Sequence, residues 1–432
     1  MALLLRNAHL VDPAEGLDTV MELLVGDDGR IAAVGLELET PQGTDVFDCM
    51  EKLVMPGLVD AHTHLREPGR EDEETVHSGT RAAALGGFTA VCAMPNTAPV
   101  ADEGAAIRFL VERAAADGAV RVHPIGAITA GQKGEALAEI GDMVAEGAVA
   151  FSDDGRGVQS AGMMRLAMDY VKAFGVPVIA HAEDEALAAK GSMNEGYVST
   201  LMGLPGIPAA AEDVMVARDI RICELTGCRL HVAHLSTAGS LALVRWAKER
   251  GLPVTCEVTP HHLFLTEDVL RSGYDTNQKM NPPLRTEADR KALAEGVVDG
   301  TVDCIATDHA PHAAHEKQLE FELAPFGTIG LQTALPLVNT HLVATGRIGW
   351  DRVVELMAHG PRRAIGLPAL HLAAGSVADL TIFDPEARVE VTPEWIASKS
   401  RNSAFIGHRL LGRATELLVG GRFVVRGGKV VV

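Results

Sequence analysis

Between residues 57 and 312 the chain repeats one alternation of hydrophobic and polar positions. A short, continuous apolar run is followed by a longer segment rich in Ala, Leu and Glu that carries a helical period. The apolar runs are GLVDAHTHL, TAVCAMPN, VRVHPIGAIT, AVAFSDDG, PVIAHAED, RLHVAHLS, PVTCEVTPHH and VDCIATDHAPH. Runs this short, apolar throughout instead of at every second position, predict strands covered on both faces. The segments between them, such as ETVHSGTRAAALGG and SLALVRWAKERG, predict helical crossovers. Eight strands joined by seven crossovers over about 300 residues predict an α/β protein with a closed (β/α)8 TIM-like barrel.

The two ends of the chain have a different texture. LLLRNAHLVD, VMELLVGDDGRIAAVG and DVFDCMEKLVMPG join β-favouring runs through Gly-Asp turn chemistry, and GSVADLTIFDP and ELLVGGRFVVRGGKVVV do the same. The expectation is a small β-sandwich side domain formed by both termini, residues 1–54 and 372–432, around a hydrolase barrel over 55–371.

Composition narrows the partners. A hydrophobic share of 47% and a mean hydropathy of +0.13 supply a large core. A formal charge of −20 and a pI near 5.3 repel phosphate backbones and anionic lipid, so neither nucleic acid nor membrane is expected as a partner. A small anionic substrate, which responds to a few local cations, is not excluded. The six cysteines, Cys49, Cys92, Cys223, Cys228, Cys256 and Cys304, are scattered without a CxxC pair and read as reduced thiols. The opening MALLLRNAHLVDP is too short in its apolar stretch for a secretory signal, and no run reaches the ~18 apolar residues of a membrane span. A cytoplasmic location is the expectation.

Chemistry gathers at the ends of the apolar runs. His62 and His64, Asn96, Asp154, His181, His234, His261 and His262, and Asp308 each stand at or near a run's C-terminal end. In a closed barrel these ends converge on one mouth, which brings residues distant in sequence onto a small disc. His62 and His64, at i and i+2 of a strand, face the same side and can serve one metal. Imidazoles and carboxylates suit Zn2+, although iron, manganese or cobalt would accept the same donors. The donors outnumber what one catalytic zinc needs, so the expectation is one or two Zn2+ ions, two favoured, sharing a bridging carboxylate.

The segments PGLVDAHTHLREPG, MPNTAP, FSDDG, IAHAED, VAHLST, NPPLR and TDHAPH…EK resemble, in order, the signatures of dihydroorotases in the amidohydrolase superfamily. The likeness is closest to the longer bacterial type with an aspartate as bridging ligand. The resemblance implies His62, His64 and Asp308 on one zinc, His181 and His234 on the other, and Asp154 as the bridge, with Asp153 as the alternative. Related hydantoinases and most allantoinases are expected to use a carboxylated lysine there, and this run has none.

On the substrate side the resemblance implies dihydroorotate, a cyclic amide carrying one carboxylate. Arg66 suits a bidentate pair with that carboxylate, and Asn96 and His312 would join it. Asn281 would grip the ring, and Phe326 and Gly327 would offer backbone groups to it. His64 would border the substrate as well as the metal. Asp308 is expected to be the catalytic residue that carries a proton from the attacking water to the departing ring nitrogen. The alternative readings are another cyclic amidohydrolase, an allantoinase or dihydropyrimidinase, and a non-catalytic dihydroorotase-like scaffold subunit. The family also includes homodimers and partners of an aspartate carbamoyltransferase, and no residue pattern here selects between these arrangements.

Overall fold

The computed structural model describes residues 2–432. All eight apolar runs form neighbouring strands of one parallel sheet: Leu58–Thr63, Phe88–Ala93, Arg121–Gly126, Ala150–Phe151, Val178–Ala180, Leu230–Val232, Val254–Val258 and Cys304–Ile305. Their spatial order is their chain order. Beyond the eighth strand, Thr63 bridges His309, and the His64 amide donates to the His309 carbonyl at 2.9 Å. Buried Asp60 ties the first strand to the eighth by accepting from the Thr307 amide at 3.1 Å and from its hydroxyl. These contacts bring the first and last strands of the barrel together.

The helices lie outside. Helix Val76–Gly86 begins where the Thr75 hydroxyl accepts from the Ser78 amide and ends at Gly87, whose φ of 91° admits a left-handed turn. Ala61, Cys92, Ile125, Ala150 and Ile179, from five successive strands, meet Ile365 in a small apolar cluster inside the barrel. A much larger apolar cluster fills the layer between strands and helices, so the barrel is a packed core and not a pore.

Both termini meet in one nine-stranded sheet. Strand Leu3–Asp12 pairs antiparallel with Leu17–Val25 and parallel with Leu53–Pro56, which in turn pairs with Leu380–Glu390 from the C-terminal end. Its side chains enclose a core of their own, including Leu5, Leu10, Leu23, Leu380 and Leu418. All six cysteines are buried and unpaired. Among the described residues, no helix is long and apolar enough to cross a membrane.

Candidate active site

A cage of six side chains lies at the barrel mouth. His62 and His64 stand on and just beyond the first strand with ring centroids 5.4 Å apart. Asp154 lies between them and a second pair, His181 and His234. His62 Nε2 is 3.4 Å from Asp154 Oδ1, His64 Nε2 3.4 Å from Oδ2, His181 Nδ1 3.3 Å from Oδ1, and His234 Nε2 3.5 Å from Oδ1. Asp308 reaches the first pair, with Oδ1 3.1 Å from His64 Nε2 and 3.5 Å from His62 Nε2. All six residues are buried. Burial resists ionisation of Asp154, yet the charge of His62 and the close approach of the His181 and His234 imidazoles hold its carboxyl well below the usual range.

The two aspartates of FSDDG diverge. Asp153 Oδ1 accepts from the Ile128 and Thr129 amides at 2.8 and 3.0 Å, and its other oxygen accepts from the Thr129 hydroxyl. Asp153 therefore holds the loop after the third strand, and Asp154 alone enters the cage.

The cage fits a cation. Two buried polar atoms that face into it, His62 Nε2 and Asp154 Oδ1, have no hydrogen-bond partner among the described residues, and His181 Nδ1 and His234 Nε2 crowd beside them 2.9 Å apart. Such groups are costly to bury without a compensating interaction. Two sets of three donors, His62, His64 and Asp154 and then Asp154, His181 and His234, each close to within 4.8 Å and share the one carboxylate. The backbone adds its own sign of function. His234 and Asp308 adopt φ of 31° and 47°, and Arg66 adopts 61°, conformations that cost non-glycine residues of order 1–3 kcal/mol each.

Beside the cage opens a cavity of about 210 Å³, lined by Arg66, Asn96, Asn281, His312, Phe326 and Gly327 as well as by cage residues. The structure thus brings the expected metal and substrate residues together at one mouth, without His262. Arg66 is buried, and its Nε donates to the Pro311 carbonyl at 3.1 Å and lies 3.0 Å from Glu73 Oε2. Asn96 Oδ1 accepts from His64 Nδ1 at 2.8 Å, which leaves His64 Nε2 for the cage. Asn281 Oδ1 is buried and unpartnered. Burial, with the charges of Arg66 and Lys317, pushes His312 down to about 3, so it is neutral and carries a single N–H. Its Nε2 faces the Phe326 carbonyl at 2.7 Å and its Nδ1 faces Glu73 Oε1 at 3.1 Å. Gly327 is required here, because a Cβ would lie 2.9 Å from the Ala310 carbonyl oxygen and from His312 Nε2. His262, also at the end of a run, stands differently: it bonds Thr259 and the Pro282 carbonyl and supports the segment that carries Asn281.

A family model described as dihydro-orotase-like matches residues 51–240. A dihydroorotase of Pelotomaculum thermopropionicum is 53% identical over 426 residues, 99% of each chain. Another, from Anaeromyxobacter sp., is 52% identical over 99% of this chain and 98% of its own. This chain belongs to the dihydroorotase family. The solved L-hydantoinase (dihydropyrimidinase) from Arthrobacter aurescens superposes with a TM-score of 0.89 at 27% identity, over 100% of this chain and 97% of the other. The dihydroorotase barrel and cage therefore sit in a fold shared with hydantoinases.

Several residues behind this dihydroorotase-family site escape a reading of the sequence. Glu257 is fully buried; its Oε1 accepts from His62 Nδ1 at 2.8 Å and its Oε2 from His231 Nε2 at 3.1 Å. Burial opposes its ionisation, but the hydrogen bonds and charges of His231 and His62 hold it at about 2. It fixes the His62 tautomer with Nε2 aimed into the cage. Glu257→Gln should therefore lower metal affinity roughly 10–100-fold with the fold retained, measured by competition with a chelator. Unchanged affinity would remove Glu257 from the metal's support. Glu73 braces both Arg66 and His312, the latter at 3.1 Å. Two buried lysines pin the loop that carries Phe326: Lys279 Nζ donates to the Ala324 carbonyl at 2.6 Å and Lys317 Nζ to that of Pro325 at 2.8 Å.

Proposed function

We propose that this chain is a dihydroorotase in activity: it opens (S)-dihydroorotate reversibly to N-carbamoyl-L-aspartate, a step of pyrimidine (UMP) biosynthesis. The observation that carries the reading is a buried His4Asp2 cage beside a cavity that Arg66, His312 and Asn281 also line. A cyclic amide with one carboxylate matches that division into an attacking end and an anion-holding end. His62, His64 and Asp308 would hold one zinc ion and His181 and His234 a second, with Asp154 as the shared ligand. Bound there, zinc supplies an activated water and polarises the ring carbonyl.

The chain's own groups do the rest. Arg66 presents its guanidinium to the substrate carboxylate, with Glu73 fixing its Nε end. His312, beside Arg66, borders the same carboxylate, and the amide nitrogen of Asn96 faces it. Asn281 and the backbone at Phe326–Gly327 hold the ring. Burial resists ionisation of Asp308, but the neighbouring His62 and His64 keep it a carboxylate, which is the form a base requires. Asp308 takes the proton of the attacking water and returns it to the departing ring nitrogen. Ring closure runs through the same groups in reverse.

Turnover of L-dihydroorotate by Arg66→Lys tests this assignment. An ammonium cannot hold Glu73 and offer two parallel donors to a carboxylate at once. The expected loss is about 2 kcal/mol, on the order of 30-fold in kcat/KM, carried mostly by KM. Kinetics that barely change would leave the carboxylate to other residues.

A further inference from the structure

Away from the mouth, where the terminal sheet meets the barrel, three further metal-ligating side chains converge. Asp12 ends strand Leu3–Asp12 and is fully buried, His359 precedes helix Gly360–Ile365 and is also buried, and His371 lies in the segment leading back into the terminal sheet. His359 Nε2 is 2.9 Å from Asp12 Oδ1, His371 Nδ1 is 3.9 Å from Asp12 Oδ2, and the two rings are 5.3 Å apart. One donor atom from each falls within 4.8 Å of the others.

The hydrogen bonds explain two of the three residues. Asp12 Oδ1 accepts from His359 and from the Ala14 amide at 3.0 Å, and Oδ2 accepts from the Leu372 amide at 2.8 Å. A carboxylate tying two segments to a strand would be complete with these. His371 is left over: its Nδ1 is buried, faces the Asp12–His359 pair and has no hydrogen-bond partner among the described residues. A bare imidazole nitrogen aimed at a carboxylate oxygen brings two electron pairs together, an arrangement that calls for a cation or a proton between them.

We infer that Asp12, His359 and His371 form a second, structural site for a divalent transition metal, best suited to Zn2+, distinct from the cage at the barrel mouth. Tetrahedral zinc at ~2.1 Å from each donor needs donors ~3.4 Å apart, so His371 Nδ1, 3.9 Å from Asp12 Oδ2, has only to close by about 0.5 Å. His359 would bind through Nε2 with its proton moved to Nδ1, His371 through Nδ1, and Asp12 through the second lone pair of Oδ2. A cavity of about 140 Å³ borders both histidines and gives water access to a fourth position. The ion would staple the first strand of the chain to the last helix of the barrel and to the segment that re-enters the sheet, joining three regions far apart in sequence.

The experiment is zinc titration of the full chain whose mouth site is already loaded, followed by calorimetry and by metal analysis after gel filtration. Wild-type protein is expected to take up one further ion per chain, and its Tm to rise as zinc is added. His371→Ala removes a partly exposed side chain that makes no hydrogen bond through Nδ1, so it should fold, lose the ion and the Tm rise, and keep ring-opening turnover. His359→Gln retains an amide that can donate to Asp12 and should lose the same ion. Wild-type protein that binds nothing beyond the mouth site would overturn the inference. So would a further ion retained by both variants.

Discussion

Asp308→Asn should lose roughly 10²–10⁴-fold in kcat for ring opening and for ring closure, with its fold intact. The amide has nearly the shape of the carboxylate and can still face His64 Nε2, 3.1 Å away. It cannot accept a proton from water and return it to nitrogen. Because one group serves both directions, the two rates should fall together. Metal content should fall less than activity, since His62, His64 and Asp154 remain in place. A purified variant with near-normal turnover would show that another base does the work.

The pair Asp153 and Asp154 gives the second large effect. Removing Asp154 takes away the only carboxylate common to both donor triads, so Asp154→Ala should lower the metal-to-chain ratio as well as abolish activity. Asp153→Ala should keep its metal and lose stability instead. It would strand the buried Ile128 and Thr129 amides and the Thr129 hydroxyl without their acceptor, a cost on the order of 3 kcal/mol. Metal analysis and thermal unfolding on both variants separate the roles. Metal lost from Asp153→Ala with Asp154→Ala intact would reverse them.

The barrel was legible because its signal is local. Each apolar run is long enough to read, and chain order equals spatial order, so no long-range pairing had to be guessed. The ends of the runs then located the cage, since a closed barrel turns eight separate positions into one ring. FSDDG shows how far local reasoning reaches. Its strand covers only Ala150–Phe151, yet the alternation of side chains persists past it, sending Asp153 to a loop and Asp154 to the mouth.

The residues behind the site were hidden for the opposite reason. Glu257 meets His62 across 195 positions, and nothing near either residue announces the other. A lone carboxylate inside the apolar run PVTCEV was nevertheless a usable signal, because a buried charge needs a partner. Glu73 sits within the acidic run GREDEE, which reads as a solvated face, and only the fold turns it inward to Arg66. The termini showed the texture of strands without their pairing. That Leu53–Pro56 lies beside Leu380–Glu390 depends on contacts more than 300 residues apart.

The fold shared with hydantoinases makes the substrate the property that most needs measuring. Purified, zinc-loaded protein should be assayed for ring opening of L-dihydroorotate beside dihydrouracil, hydantoin and allantoin, with metal quantified on the same sample. Arg66, His312 and Asn281 line the cavity, and a substrate without a carboxylate forgoes an ion pair with the Arg66 guanidinium beyond the one Glu73 makes. The kcat/KM for L-dihydroorotate should stand at least ~10²-fold above the others. Equal or faster turnover of dihydrouracil, hydantoin or allantoin by the metal-loaded protein would contradict it.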